Sequence, residues 1–160
     1  MTHHTFATPI DDRYLEDYVE GAAYELGTIT VDADEVVMFG RRFDPQPFHT
    51  DPEEAKRSSF GGLIASGWHT ASLMMRLFVD NYLTRAASLG SPGVDELRWL
   101  KPVRPGDELT LRVTVAEASR SRSKPDRGIL RSYIEMLNQH GEVVMSMMAL
   151  NVVGCRETHP

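Results

Sequence analysis

The chain has 160 residues, a mass of 18.0 kDa and a formal net charge of −6. At about 100 to 200 residues per domain, this length predicts one domain over residues 1–160, with a core large enough to need no disulfide or metal. Hydrophobic residues make up 41% and charged residues 25%, which is typical of a soluble globular protein and excludes a disordered or collagen-like chain. The acidic balance argues against nucleic acid as a partner.

Cysteine usage and the N-terminal sequence bear on the cellular compartment. The single cysteine, Cys155, excludes an intramolecular disulfide and any CxxC metal or redox motif. The chain does not open with a basic segment followed by an apolar run, and no stretch approaches 18 consecutive apolar residues. We therefore expect a cytoplasmic protein with no secretion signal and no membrane as a partner.

The first third of the chain alternates predicted helices, one strand and a proline-rich segment. Apolar residues at helical spacing predict a short helix over residues 11–19, and a β-branched run predicts a strand over 24–31. An N-cap aspartate with an acid three residues later predicts a helix over 32–43. Three prolines predict a loop over 44–52, and an Asp-Pro pair opens another short helix over 51–58.

One long helix separates this part from a run of strands. Residues 66–88 contain no proline, and the predicted helix is hydrophobic nearly all round between Ala71 and Val79, which is typical of a helix surrounded by protein. Alternating and apolar runs, interrupted by turn sequences, then predict strands over 94–100, 109–115, 129–138 and 142–153.

One strand before a buried helix and several antiparallel strands after it predict an α+β protein. The arrangement expected is a hot-dog fold, in which a curved antiparallel sheet wraps around one long central helix. A sheet of this kind has exposed edges that pair readily with a second copy, so we also expect a homodimer.

Chemistry-bearing side chains are concentrated in the proline-rich segment. Asp44, Gln46 and His49 lie within six residues whose backbone is stiffened by Pro45 and Pro47. A water held between a carboxylate and an imidazole can lose a proton to one group while the other orients it. The alternative, that Asp44 and His49 only satisfy backbone groups at two turns, stays open at this point.

The start of the predicted long helix is a second candidate. Backbone N–H groups at a helix N-terminus lack intrahelical acceptors, and Gly67 has no side chain to keep a ligand carbonyl away. An oxyanion can be stabilised there. In the alternative interpretation Ser66 is simply the N-cap and Gly67 serves packing, and the two interpretations are compatible.

Two further groupings have less support. Ser66, His69 and Asp44 form a conceivable hydrolase triad, but no GxSxG motif surrounds the serine. His49, Asp51 and His69 are conceivable metal ligands, but no HExxH motif or regular Cys/His spacing accompanies them. We therefore expect no metal site.

Three segments together resemble a known family. FDPQPFHTDPEEAK, FGGLIASGWHTASL and KPVRPGDEL are similar to the MaoC-like dehydratases, the group of (R)-specific enoyl-CoA hydratases. The family motif has the form D-x-N-P-x-H, and Asp44, Pro47 and His49 match it in spacing. The resemblance covers most of the chain and implies a hot-dog fold, usually dimeric.

The resemblance also implies an activity. Asp44 and His49 would activate a water for syn hydration of a trans-2-enoyl-CoA to an (R)-3-hydroxyacyl-CoA, and would catalyse the reverse dehydration. The N–H of Gly67 would polarise the thioester carbonyl and stabilise the developing enolate. The acyl group is carried as a coenzyme A thioester, and no other cofactor is expected. The residues expected to contact substrate are Gln46, Pro47, Phe48, Leu63, Ile64, Ser66 and Trp68.

The chain departs from the family pattern at three places. Gln46 stands where asparagine is common, Arg42-Phe43 where a Ser-Gly pair is frequent, and Ser66 where histidine often precedes the glycine. The departures at Gln46 and Arg42-Phe43 keep open a non-catalytic acyl-CoA binding module. A hot-dog thioesterase is a second alternative, because hot-dog proteins of several families hydrolyse the same thioesters. The sequence leaves the length of the acyl chain undetermined.

Overall fold

The computed structural model of the protein describes residues 2–158. Two single turns of 3-10 helix, Ile10–Asp12 and Leu15–Asp17, precede the regular elements. The helices are α1 (Ala33–Phe43), α2 (Pro47–Thr50), α3 (Pro52–Arg57) and α4 (Gly67–Asn81). The strands are β1 (Ala23–Thr30), β2 (Gly93–Trp99), β3 (Glu108–Arg120), β4 (Arg127–Leu137) and β5 (Val143–Gly154).

The five strands form one antiparallel sheet in the order β1-β3-β4-β5-β2. Alternate side chains of β3, from Leu109 to Val115, are almost fully buried, as the period of two in the sequence predicts. Helix α4 contacts β1 and β3 and contributes Met74 and Phe78 to the same core. The α+β hot-dog arrangement, with a sheet around one central helix, is therefore confirmed.

The segment between β1 and α4 folds as three consecutive helices, and it carries the candidate site. Helix α1 is confirmed, because the Asp32 carboxylate accepts a hydrogen bond from the Glu35 N–H at 2.9 Å. The predicted loop over 44–52 is wrong at its centre, where α2 forms one helical turn. Proline is tolerated at the first helical position, and Pro47 and Pro52 begin α2 and α3 there.

Two helix predictions are wrong for a shared reason, a long-range contact of Arg13. Residues 11–19 do not form a continuous helix, since Arg13 and Tyr14 are extended between the two 3-10 turns. The Arg13 guanidinium instead donates to the backbone carbonyls of Asn81 and Tyr82, at 3.2 and 2.8 Å. These bonds satisfy the C-terminal carbonyls of α4, which ends at Asn81 and not at Ser88.

The prediction that α4 is surrounded by protein is also wrong within this chain. Leu73, Met74 and Leu77 are buried, whereas Met75 and Val79 remain 44% and 41% exposed. Helix α4 therefore has two apolar faces. One packs in the core, and the other is exposed on the surface of the chain.

Candidate active site

Asp44 and His49 come together where α1 ends and α2 begins. Asp44 is the C-cap residue of α1, and His49 is the third residue of α2. The carboxylate Oδ2 lies 3.2 Å from the imidazole Nε2. The His49 side chain is only 6% exposed and that of Asp44 21%, so the pair is recessed but reachable. The spacing in the sequence thus corresponds to direct contact in space.

The orientation of the His49 ring is fixed by a backbone carbonyl. Nδ1 lies 2.8 Å from the carbonyl oxygen of Ile64, which can only accept a hydrogen bond, so Nδ1 carries the proton of that bond. The backbone N–H of Ile64 also donates a hydrogen bond to the carbonyl of Phe48, the residue before His49, at 3.0 Å. The Phe48 ring packs edge-on against the imidazole at 4.6 Å. These contacts direct Nε2 towards Asp44.

A glycine that sequence analysis missed allows α1 to approach α2. A Cβ at Gly40 would lie 3.0 Å from both the Cβ and the carbonyl oxygen of His49. Such contacts are tighter than packed side chains normally make, so only glycine fits without displacing the helical turn that holds His49. No periodicity or motif in the sequence marks this position.

Two side chains donate hydrogen bonds to the Asp44 carboxylate. The Gln46 side-chain amide donates to Oδ1 at 2.7 Å, and the Ser66 hydroxyl donates to Oδ2 at 2.8 Å. Partial burial raises the pKa of Asp44, but these two hydrogen bonds together with the nearby His49 outweigh it and lower that pKa below its ordinary value. Gln46 and Ser66, which are predicted to contact substrate, contact the candidate catalytic carboxylate in this structure, and their contact with substrate remains a prediction.

Ser66 also begins the central helix. Its hydroxyl accepts a hydrogen bond from the Trp68 N–H at 3.3 Å, as expected of an N-cap residue. A Cβ at Gly67 would overlap the indole ring of Trp99, at the end of β2. Gly67 is therefore required for packing, and it also lines the cavity described next.

A cavity of about 260 Å³ joins the imidazole to the helix start. His49, Ile64 and Gly67 line it on one side, and the connection from β2 to β3 lines it on the other, through Trp99, Leu100, Lys101, Pro102 and Val103. The structure thus brings together two predicted catalytic residues and one predicted substrate contact. Sequence analysis missed Trp99 and the wall that follows it.

The remaining predicted contacts lie outside this lining. Pro47 begins α2, and Phe48 packs against Phe60 and the imidazole. Leu63 packs against the core, whereas Trp68 is 58% exposed and meets the ring of Trp99 edge-on at 5.0 Å. Any contact of these four with substrate remains a prediction.

Two further features are absent from residues 2–158. Over residues 2–158, no group of three or more His, Cys, Asp or Glu side chains is arranged to hold a metal ion. Within the same range, no helix is long and apolar enough to cross a membrane. The conceivable metal ligands His49 and His69 are instead paired with Asp44 and Glu35.

Comparison with known sequences identifies the family. The family model described as MaoC like domain matches residues 18–132, which include both Asp44 and His49. The chain belongs to the MaoC-like family. This membership supports an enzyme that hydrates or dehydrates an acyl thioester.

Two curated relatives illustrate the range of the family. The chain is 29% identical over 125 residues to the uncharacterized protein YdeM of Bacillus subtilis, covering 78% of this chain and 87% of that protein. It is 32% identical over 83 residues to 3-hydroxyacyl-thioester dehydratase Z of Mycobacterium tuberculosis, covering 51% of this chain and 55% of the dehydratase. The chain thus matches only about half of the named dehydratase.

Solved structures support the same assignment. A MaoC-like dehydratase from Rhodospirillum rubrum is 44% identical, with a TM-score of 0.83 over 91% of this chain and 99% of its own. The (R)-hydratase from A. caviae involved in PHA biosynthesis is 27% identical, with a TM-score of 0.67 over 86% of this chain and 96% of its own. Both dehydratases and hydratases therefore share this MaoC-like fold.

The bracing of Asp44 gives a testable prediction. We expect Gln46→Leu to raise the pKa of Asp44 towards its ordinary value of 3.8, because a donor to the charged carboxylate is lost. Titration of the carboxyl carbon by ¹³C NMR measures this shift. Gln139→Leu is the matched control, since Gln139 makes the same kind of bond to Asp107, at 3.0 Å, and should leave Asp44 unaffected. An Asp44 that titrates above 3.8 in the unmodified protein contradicts the described geometry.

Proposed function

We propose that this MaoC-like protein hydrates trans-2-enoyl-CoA to (R)-3-hydroxyacyl-CoA and catalyses the reverse dehydration. The observation that carries the proposal is the Asp44–His49 contact at 3.2 Å, beside a cavity that also reaches Gly67. The named functions of the hydratase and dehydratase relatives support the same chemistry.

The chemistry follows from the positions of the polar groups. A water bound to both Asp44 and His49 attacks C3 of the enoyl group, forming the C–O bond while the π electrons move towards the thioester carbonyl. The Asp44–His49 pair accepts one proton from that water and returns one proton to C2, so its own proton count is unchanged at the end. The hydroxyl at C3 and the proton at C2 are added from the same side of the double bond, which gives the syn product.

The enolate needs stabilisation while C2 awaits its proton. The backbone N–H of Gly67, at the positive end of the 15-residue helix α4, would donate to the thioester oxygen. Because the steps are proton transfers and addition of water, we propose that no cofactor is needed besides the coenzyme A that carries the acyl group.

The buried free thiol of Cys155 is consistent with the predicted cytoplasmic location.

Hydration is tested by the loss of conjugated enoyl-thioester absorbance with crotonyl-CoA and a longer trans-2-enoyl-CoA. We expect turnover to fall by about 10²- to 10⁴-fold in His49→Ala and in Asp44→Asn, because each removes a group that positions the water and shares its proton. His140→Ala, in the exposed turn between β4 and β5, is the control and should retain activity. Chiral chromatography of the product should show the (R) isomer.

Each alternative has its own outcome in that assay. Release of free CoA thiol without hydration would indicate a thioesterase. Tight binding of acyl-CoA in a calorimeter without turnover of either substrate would indicate a non-catalytic binding module. Turnover that survives both substitutions would contradict the proposed roles of Asp44 and His49.

We also propose that two copies of the chain associate through the open face of α4 and the free edge of β2. Strand β2 is an edge of the sheet, and Trp68 meets Trp99 at its end. The apolar side chains Trp68, Leu100, and Met75 and Val79 of α4 are all more than 40% exposed. Antiparallel pairing of one edge strand with its own copy is self-complementary, so a second copy of this chain fits both features at once.

The association is tested by sedimentation equilibrium. We expect a mass twice the 18.0 kDa of the chain, and a shift towards 18.0 kDa for Met75→Glu, which places a charge on the apolar face. Ala33→Glu puts the same charge on the exposed first residue of α1 and should leave the mass unchanged. A wild-type chain that sediments at 18.0 kDa contradicts the proposal.

A further inference from the structure

A second cavity, of about 400 Å³, lies between α1 and α4. Its apolar part includes Phe39, Phe43 and Leu73. Its polar part consists of Glu35, Arg42, His69, Ser72 and Arg76. A lining with both apolar and charged side chains suits a ligand that has an apolar part and a charged part.

The lining of the second cavity includes residues that are near the candidate catalytic carboxylate along the chain. Phe43, in its wall, directly precedes Asp44, and His69 lies three residues after Ser66, whose hydroxyl donates to Asp44. Phe39 stacks on the His69 ring at 5.0 Å and contacts Phe43 at 5.1 Å. Phe39 thus joins the other two rings in the lining of the cavity.

The charged groups of the cavity differ in whether they are already paired. His69 is 3% exposed and bonds through Nε2 to Glu35 at 2.8 Å, while its buried Nδ1 has no hydrogen-bond partner among the described residues. Arg76 bonds to Asp80 at 2.8 Å.

Arg42 is the exception among these charged groups. Its guanidinium lies over the Phe43 ring, 4.9 Å from the ring centre, and no carboxylate among residues 2–158 forms an ion pair with it. A guanidinium presents its N–H donors in one plane and can bind both oxygens of a carboxylate, and stacking on an aromatic ring leaves this edge available.

We propose that the second cavity receives an acyl group that ends in a carboxylate, so that the preferred substrate is the mono-thioester of an unsaturated dicarboxylic acid. This inference rests on the proposed hydratase function and names its substrate class. Phe39 and Phe43 pack against the carbon chain, and Arg42 binds the terminal carboxylate. The carboxylate takes no part in the bond changes at C2 and C3, so Arg42 determines specificity and is not a catalytic residue.

A phosphate of the coenzyme A carrier is another anion that Arg42 would bind, and the two sources predict different specificities. A contact to the carrier strengthens binding of every CoA thioester equally. A contact to the acyl terminus strengthens binding only of substrates that carry the second carboxylate. The presence in the lining of Phe43, the residue directly before Asp44, favours the acyl terminus.

The test compares kcat/KM for two substrates of equal carbon count: trans-2-hexenoyl-CoA and the CoA mono-thioester of trans-2-hexenedioic acid. We expect the unmodified protein to prefer the second by about tenfold or more, because a charge-assisted bidentate bond is gained. Arg42→Gln should reduce that preference by about tenfold, and Arg42→Lys should restore part of it. Arg41→Gln, which removes the neighbouring arginine outside this cavity, is the matched control and should leave the preference unchanged.

The outcomes separate this inference from the function on which it rests. Hydration of both substrates without preference for the carboxylate overturns the inference and leaves the hydratase function intact. An equal loss on both substrates in Arg42→Gln also overturns it, in favour of a contact to the carrier. Hydration of neither substrate overturns the proposed function and the inference with it.

Discussion

The hydrogen bond between His49 Nδ1 and the carbonyl of Ile64, at 2.8 Å, is the constraint on which the rest of the site depends. It ties a one-turn helix, too short to be stable alone, to the segment that leads into the central helix. Because a carbonyl accepts only, the bond fixes the proton on Nδ1 and turns Nε2 towards Asp44. The close approach at Gly40 holds the same turn from its other side, so two independent contacts position one ring.

Ser66 links the start of the central helix to the chemistry. One hydroxyl accepts from the Trp68 N–H, as the helix cap, and donates to the Asp44 carboxylate. With Gln46 on the other oxygen, Asp44 is held ionised in one orientation, which suits a group that aligns a water. The serine stands where a histidine often precedes the glycine in MaoC-like proteins. Although Ser66 departs from the family pattern, its hydroxyl donates a hydrogen bond to the Asp44 carboxylate.

Local features were predictable from the sequence, whereas long-range contacts were not. The Asp32 cap of α1 and the burial pattern of β3 depend on neighbouring residues, and both are confirmed. The end of α4 depends on Arg13, which lies 68 residues from its partner Asn81. The helix predicted from the local sequence was therefore too long. In the candidate site, the spacing of the sequence motif was enough to identify Asp44 and His49. The supporting contact to Ser66, 22 residues away, and the wall formed by Trp99 have no local pattern.

The central claim is that one water, or the hydroxyl derived from it, lies between Asp44 and His49 while the thioester carbonyl faces Gly67. A crystal structure with a bound (R)-3-hydroxyacyl-CoA tests it most directly. We predict that the 3-hydroxyl lies within hydrogen-bond distance, about 2.6 to 3.2 Å, of both the carboxylate and Nε2, and that the carbonyl oxygen accepts from the Gly67 N–H. A product whose 3-hydroxyl contacts neither group, or whose carbonyl points away from the start of α4, would contradict the account.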